Sequence, residues 1–272
     1  MKFAICNETF QDRSLEEGFR FAAECGYTGV EIAPFTVAPL VTDVSASRRA
    51  EVRRSAEASG LEVIGVHWLL AKTEGFYMTS PEPEVRRRTG DYFAELARFC
   101  ADLGGAVMVC GSPQQRNLLP GVGLDQAMDY AAEVFASAVP TLEECQVTLA
   151  LEPLAPAETD FLTTAAGTVE LIERIGSPRV RLHLDCKAMW SESTPIPKLI
   201  RRHHPWMAHF HANDPNLRGP GMGELDFHPI FQALRDVDYP GWVSVEVFDY
   251  EPGPERLARE SIEYMRRVLA EL

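Results

Sequence analysis

Eight short apolar runs are distributed along the chain, separated by stretches with helical periodicity. The runs are rich in Val, Ile and Leu, which is typical of parallel strands that are buried on both faces. We therefore predict strands at residues 3–6, 29–32, 63–67, 107–110, 147–152, 180–185, 207–211 and 242–246.

The stretches between these runs carry the signals that begin and end helices. Ser14 and Glu17 have the spacing of a capping box, and Gly26 is the kind of residue that ends a helix. Similar signals predict helices at residues 46–59, 81–103, 164–175 and from 254 to the C-terminus, with shorter helices near 197–203 and 229–237.

Repeated strand–helix alternation over 272 residues predicts a single-domain (β/α)8 TIM barrel spanning residues 1–272. The alternative is an open doubly wound sheet. That fold more often has a glycine-rich phosphate loop after its first strand, and Cys6, Asn7, Glu8 and Thr9 do not form one. The pattern therefore favours the barrel.

Composition limits the classes of binding partner and the cellular compartment that we expect for this protein. With 26 basic and 40 acidic side chains the formal charge is −14, which argues against binding nucleic acid because duplex DNA is bound by basic side chains. No apolar run approaches the ~18–20 residues of a membrane-spanning helix. The first residues lack the pattern of a signal peptide, and the six cysteines contain no Cys-x-x-Cys pair. We expect a cytoplasmic, reduced protein.

Four polar side chains end the last four predicted strands: Glu152, Asp185, His211 and Glu246. The strands of a barrel all end at one mouth, so these groups should converge there. Three carboxylates placed close together repel each other unless a positive charge lies among them. An oxygen-rich set with one imidazole favours Mn²⁺, Mg²⁺ or Co²⁺ over a structural Zn²⁺.

Several short motifs in this order and spacing resemble the xylose-isomerase-like barrel superfamily of sugar phosphate isomerases and epimerases, and within it the D-tagatose 3-epimerase type. They are Leu-Glu-Pro at 151–153, His-Leu-Asp at 183–185, His-Phe-His-Ala-Asn-Asp at 209–214, Gly-Pro-Gly-Met-Gly at 219–223 and Val-Glu-Val at 245–247. The resemblance covers essentially the whole chain.

The resemblance implies a metal-dependent isomerase or epimerase of a ketose or keto-sugar. It implies that Glu152, Asp185, His211 and Glu246 bind one divalent ion, commonly Mn²⁺, and that Glu152 and Glu246 act as an acid/base pair on opposite sides of the substrate. A metal that chelates the carbonyl oxygen and the adjacent hydroxyl would stabilise the enediolate formed when the neighbouring carbon loses its proton.

Further positions are candidates for a supporting role. Glu158 and Arg218 match substrate contacts of the family, and His67 with Trp68 suggests a pocket wall that faces the sugar. His183 and His209 precede metal-ligand candidates by two residues, so strand alternation turns them to the same inner face, where they could orient those ligands. Each of these residues also has a purely structural interpretation.

The sequence departs from the family at one place. These epimerases usually carry a His three residues after the Asp, where this chain has Ala188, and Lys187 is a candidate replacement donor. The departure keeps a second enzyme class open, a metal-dependent lyase that dehydrates an inosose- or dehydroshikimate-like keto-polyol.

Two further classes are less favoured. A DNA-repair endonuclease of the superfamily would need additional metal ligands and a basic face, and a non-catalytic sugar-binding barrel would retain a repulsive carboxylate cluster without using it. Family members are often homodimers or homotetramers, and no motif here identifies an interface.

Overall fold

Eight parallel strands pair in chain order and close into a barrel in the computed structural model, which describes residues 1–272. Because β1 pairs with both β2 and β8, the open-sheet alternative is excluded and the predicted (β/α)8 barrel is confirmed. The strands are β1 (Lys2–Cys6), β2 (Gly29–Ile32), β3 (Glu62–Val66), β4 (Val107–Cys110), β5 (Thr148–Leu151), β6 (Val180–Asp185), β7 (Met207–Ala212) and β8 (Trp242–Val245).

Helices surround the barrel, with three single 3-10 turns at Asn7–Phe10, Pro34–Thr36 and Val41–Asp43. The α-helices are α1 (Leu15–Cys25), α2 (Ala46–Ala58), α3 (Pro83–Leu103), α4 (Leu124–Cys145), α5 (Ala165–Ile175), α6 (Cys186–Trp190), α7 (Ile196–His203), α8 (His228–Asp236) and α9 (Pro254–Glu271).

Seven of the nine α-helices match predicted segments, and the predictions were wrong in some details. The predicted start at Pro81 is two residues early, because Pro83 occupies the first helical position, where its missing N–H costs nothing. No boundaries were predicted for α4, whose internal Pro140 obscures the helical pattern. Helix α6 was also missed, since its five residues are too few to show a period.

Three strands end one residue earlier than predicted, so His67, Glu152 and Glu246 lie just beyond β3, β5 and β8. The backbone N–H of His67 still donates to Ile32 O at 3.2 Å, and that of Glu152 donates to Cys110 O at 3.2 Å. These side chains are therefore fixed at the mouth of the barrel by the neighbouring strands.

Shifts in register aim buried polar residues into the barrel. One lies between Val30 and Glu31 in the pairing of β2 with β3, and another between Leu182 and His183 in the pairing of β6 with β7. After the second shift His183 pairs with His209 and Asp185 pairs with His211. An extra residue in one strand thus brings these side chains to one inner face.

The remaining interior is apolar, and its packing is illustrated by Phe93 of α3 and Phe135 of α4, which meet edge to face with ring centroids 5.2 Å apart. All six cysteines are unpaired thiols. None of the helices combines the length and apolar character that crossing a membrane requires.

Gly65 allows β3 to approach β4 closely. A Cβ placed on Gly65 would lie 2.2 Å from the carbonyl oxygen of Val107, a backbone atom that cannot move without disturbing the strand. We expect Gly65→Ala to lower the free energy of unfolding by about 1–3 kcal/mol, the usual cost of overpacking a core. Chemical denaturation followed by circular dichroism measures this change.

Gly123 provides the matched control, since a Cβ there meets no atom within 4 Å and its φ of −78° suits any residue. Gly123→Ala should therefore cost clearly less than Gly65→Ala. Equal stability of the two variants would contradict the close approach at Gly65.

Candidate active site

The four predicted strand-end residues all lie buried at one mouth of the barrel. Asp185 and His211 are fully buried, and Glu152 and Glu246 are nearly so. One potential ligand atom each from Asp185, His211 and Glu246 lie within 4.8 Å of one another, as do atoms of Glu152, His183 and Asp185. The structure therefore brings the predicted set together in one cluster.

Glu246 is the most heavily contacted carboxylate of the cluster. Its Oε1 accepts a hydrogen bond from Trp68 Nε1 at 2.7 Å and lies 3.2 Å from His67 Nδ1. Its Oε2 lies 3.0 Å from His211 Nδ1. Trp68 has a left-handed backbone with φ of 54°, an uncommon conformation for a bulky residue and one that is often found at functional sites.

Asp185 is held at both oxygens. Oδ1 accepts the backbone N–H of Ala188 at 2.8 Å and caps α6, while Oδ2 accepts from Asn213 Nδ2 at 2.6 Å. Asn213 also accepts the N–H of Lys187 through Oδ1 at 2.8 Å. Asn213, which the sequence analysis did not single out, thus fixes the orientation of a predicted metal ligand.

The environments of the two glutamates differ. Burial and the nearby carboxylates of Glu246 and Asp185 raise the pKa of Glu152 well above its usual value. Burial also opposes ionisation of Glu246, but His211 and His67 outweigh it and hold the pKa of Glu246 well below the usual range. For Asp185, burial is the largest cause of a raised pKa.

Glu31 lies behind the cluster and was missed by the sequence analysis. Its oxygens lie 3.1 and 3.2 Å from His211 Nε2, and it also contacts His209 Nε2. Burial disfavours its charge, but the two histidines outweigh burial and lower its pKa well below normal. A carboxylate on Nε2 fixes the tautomer of His211 that leaves Nδ1 available as a ligand.

A second missed carboxylate, Glu8, lies beside His67. Its Oε2 is 2.9 Å from His67 Nε2, and both residues are buried. Burial would lower the pKa of His67, but Glu8 and Glu246 outweigh this effect and raise it. His67 therefore connects Glu8 to Glu246, and the two carboxylates hold the imidazole between them.

His183 and His209 were predicted to support the metal ligands. His209 reaches the cluster through Glu31, as described above. His183 packs edge-on against His211 with ring centroids 4.2 Å apart, and neither of its ring nitrogens has a hydrogen-bond partner. Burial lowers the pKa of His183 well below normal, which favours a neutral ring.

A cavity of about 410 Å³ opens above the cluster. Glu152 and Glu246 form its floor, Trp68 and Phe248 stack along one wall with centroids 6.0 Å apart, and loop residues 111–115 form part of another wall. The volume is typical of a small-molecule site, and the lining combines aromatic and aliphatic side chains with charged, amide and hydroxyl ones.

Glu158 and Lys187, both predicted to contact substrate, line this cavity and pair with each other. Lys187 Nζ donates to Glu158 Oε1 at 2.7 Å and lies 4.2 Å from the ring centre of Phe248. Burial disfavours the ammonium form, but Asp185 and Glu158 outweigh burial and raise the pKa of Lys187. A positive donor is thus present next to the position where Ala188 replaces the family's His.

Arg218, the remaining predicted substrate contact, is not among the residues that line the cavity. Its guanidinium donates to Asp249 Oδ2 at 2.8 Å and to Glu251 Oε2 at 2.6 Å. These bonds join the loops after β7 and β8. A direct contact of Arg218 with substrate stays a prediction.

Comparison with known proteins identifies the family to which this barrel belongs. A sequence model of the xylose isomerase-like TIM barrel family matches residues 19–268. The chain belongs to the xylose isomerase-like TIM barrel family.

Individual relatives within the family are named sugar epimerases. The chain is 28% identical over 205 residues to a D-psicose 3-epimerase of Enterocloster bolteae, covering 75% of this chain and 67% of the relative. It is 23% identical to a fructoselysine 3-epimerase of Escherichia coli O157:H7, covering 100% and 99% of the two chains. The relatives support assignment of the chain as an enzyme of the isomerase class.

The fold is shared with solved structures as well. A D-psicose 3-epimerase from Clostridium cellulolyticum H10, crystallised with D-tagatose, superposes with a TM-score of 0.87 at 20% identity over 99% of both chains. A D-psicose 3-epimerase crystallised in the presence of D-fructose gives 0.86 at 23% identity, again over 99% of both chains.

The clustered residues fit a divalent cation. The three carboxylates and one imidazole provide hard oxygen donors with a single nitrogen, the kind of set that suits Mn²⁺, Mg²⁺ or Co²⁺. Gly111 leaves space beside Glu152, since a Cβ on Gly111 would lie 1.7 Å from Glu152 Oε2. Glu152 forms no ion pair with the protein's own groups, and burial and the nearby carboxylates raise its pKa, so a cation beside it would offset this repulsion.

Glu31 offers a test of this fit. Because its carboxylate orients His211, we expect Glu31→Gln to weaken binding of Mn²⁺ by about 10- to 100-fold, the usual effect of removing such a supporting carboxylate. Isothermal titration of the metal-free protein measures the affinity. Glu62→Gln, an exposed glutamate at the start of β3, is the control and should leave the affinity unchanged. Unaltered affinity in Glu31→Gln would refute the orienting role.

Proposed function

We propose that this protein is a divalent-metal-dependent epimerase or isomerase of a ketose or related keto-sugar, with Glu152 and Glu246 as its acid/base pair. The observation that carries the proposal is the clustering of Glu152, Asp185, His211 and Glu246, of which Glu152 and Glu246 line the floor of one sugar-sized cavity. The epimerase names of the relatives support the reaction type.

The metal would be held by Glu152, Asp185, His211 and Glu246, and Mn²⁺ is the expected ion. When bound, such an ion acts as a Lewis acid that polarises a ketone and lowers the cost of removing the proton from the adjacent carbon. Asn213 and Glu31 keep Asp185 and His211 in the orientation that binding requires.

The positions of the two glutamates in the barrel support their action on opposite faces of a substrate. They follow β5 and β8, which are separated in the barrel by β6 and β7, the strands that carry Asp185 and His211. One carboxylate takes the proton from the carbon beside the carbonyl, and the other, in its acid form, returns a proton to the other face. This transfer inverts the carbon, and the roles of the glutamates exchange in the reverse direction.

The cavity walls supply binding groups for a polyhydroxylated molecule. Trp68 and Phe248 present aromatic faces, and the paired Lys187 and Glu158 offer a donor and an acceptor for hydroxyl groups. His67 contributes through Glu246, because its ring lies beneath that carboxylate. Burial of the floor excludes water from the reacting carbon, which strengthens the electrostatic interactions there.

A lyase is the second candidate, and Ala188 is the observation that favours it. In place of an imidazole donor near the reacting carbon, the chain has a methyl group with Lys187 beside it. After proton removal an enolate can expel a β-hydroxyl group instead of being reprotonated. An ammonium group near that hydroxyl would assist its departure.

Proton NMR in D₂O distinguishes the two candidates. The Mn²⁺-loaded enzyme is incubated with a panel of ketoses, keto-sugars and keto-polyols, and the metal is removed before measurement. Deuterium at the carbon beside the carbonyl together with a new epimer signal supports the epimerase. Loss of a hydroxyl-bearing carbon signal with growth of an alkene or deoxy-ketone signal supports the lyase. Absence of both for every compound and every metal tested would overturn the proposal.

Replacement of either glutamate tests the acid/base assignment. We expect Glu246→Gln and Glu152→Gln each to reduce turnover by at least about 10²–10⁴-fold, because an amide neither accepts nor donates the required proton. Circular dichroism should show the fold retained. Glu192→Gln, a partly buried carboxylate outside this cavity, is the control and should keep normal turnover. Near-normal activity of Glu246→Gln would exclude the mechanism.

A further inference from the structure

Arg116 is the largest fully buried side chain of the protein, with 1% exposure. Arginine is rarely buried so completely unless a carboxylate pairs with it. Arg116 has no such partner within 4 Å. Instead, its guanidinium donates hydrogen bonds to backbone carbonyl oxygens at the mouth of the barrel.

Three backbone carbonyl groups receive the N–H groups of Arg116. Nη1 donates to Glu152 O at 2.7 Å, Nη2 to Cys110 O at 2.7 Å, and Nε to Ser112 O at 3.2 Å. The planar guanidinium therefore joins the end of β4, the loop after it and the residue that follows β5. The backbone carbonyl of Glu152 is therefore fixed by a planar, rigid guanidinium group.

The loop that carries Arg116 is itself fixed on both sides. Met78 N donates to Gln115 O at 2.8 Å, which ties the loop to the segment after β3. On the other side Thr159 Oγ1 donates to Asn117 Oδ1 at 2.8 Å, which ties it to the segment after β5. Arg116 is thus anchored on a support that does not depend on Glu152.

Gly111 contacts the side chain of the same glutamate, Glu152. A Cβ on Gly111 would lie 1.7 Å from Oε2 and 2.8 Å from the carboxyl carbon of Glu152. Only glycine leaves the Glu152 carboxylate in its present place. Gly111 and Arg116 lie in one loop, so a single segment sets both the backbone and the side chain of Glu152.

We propose that the loop after β4 positions Glu152, with Arg116 fixing its backbone and Gly111 admitting its carboxylate. The charge of Arg116 argues against simple packing, because burying a cation without a counter-ion is costly and an apolar side chain would fill the same space. The hydrogen bonds to the carbonyl oxygens of Cys110 and Glu152 require a side chain with several N–H donors, which an apolar residue lacks. This inference rests on the proposed role of Glu152.

Arg116→Lys is the principal test, because lysine keeps the charge and most of the volume but loses the fork. We expect kcat for the exchange of substrate hydrogen to fall by about 10- to 100-fold, the scale of a small misplacement of a catalytic group. KM should change by less than a factor of ~3, since Arg116 does not line the cavity. The Mn²⁺ affinity should fall as well, because Glu152 is a proposed ligand.

Arg86→Lys is the matched control. Arg86 is also buried and donates to two backbone carbonyls, Ser80 O at 2.9 Å and Pro81 O at 3.0 Å. Unlike Arg116 it also pairs with a carboxylate, Glu133 Oε2 at 2.9 Å, and it lies on α3 without lining the cavity. A merely structural role predicts that the two variants lose similar stability and keep similar kcat. The positioning role predicts that only Arg116→Lys loses kcat and metal affinity. Unchanged kcat in a folded Arg116→Lys protein would overturn the inference.

Gly111→Ala provides a second test if Arg116→Lys does not fold. It should lower kcat and Mn²⁺ affinity by forcing the Glu152 carboxylate away, whereas Gly123→Ala should do neither. A wild-type protein that exchanges hydrogen on no sugar would contradict the proposed function instead. In that case the metal affinities of Arg116→Lys and Arg86→Lys still decide the positioning role, since equal affinities would refute it.

Discussion

Mutual repulsion among buried carboxylates is the constraint on which the structure of the barrel mouth depends. Imidazole groups lie among the buried carboxylates there. The carboxylates are Glu8, Glu31, Glu152, Asp185 and Glu246. Burial makes each charge costly unless a positive or hydrogen-bonding partner is close. The contacts of Glu8 with His67, of Glu31 with His209 and His211, and of Asp185 with Asn213 meet this need. Glu152 is compensated least, consistent with its raised pKa. A divalent cation would offset the part of the carboxylate charge that the protein's own groups leave uncompensated.

The sequence was sufficient to predict the barrel and the residues at its strand ends. Buried parallel strands leave continuous apolar runs, and a polar residue that ends such a run marks the mouth, so Glu152, Asp185, His211 and Glu246 were recognisable. Glu31 was not, because it lies inside a strand run and its partners His209 and His211 are on β7. Only closure of the barrel brings these strands face to face. Glu8 was also missed, because it lies in a four-residue 3-10 turn that is too short to show a hydrophobic periodicity.

Loops account for the other omissions. Arg116 and Asn213 act through backbone atoms and amide groups whose partners are determined by loop geometry, and a loop leaves no hydrophobic pattern from which that geometry follows. A basic residue in a polar stretch of sequence suggests a solvated side chain. In the structure Arg116 is fully buried, because the carbonyl groups at the ends of β4 and β5 face a common point that a guanidinium can reach.

The site therefore divides into a floor and walls with different origins. The floor comes from residues at the strand ends, which the barrel holds in fixed relation, and it contains the residues of the proposed proton transfer and of the proposed metal site. The walls come from loops and from α6, where Lys187 pairs with Glu158 and Ala188 offers only a methyl group and a backbone N–H. Changes in the wall that carries Lys187 and Ala188 alter which molecule is held without moving the floor, whereas changes in the loop after β4 would also displace Glu152. The replacement of a family histidine by Ala188 thus bears on substrate choice, while the proposed acid/base pair of Glu152 and Glu246 depends on the barrel and on the loop after β4.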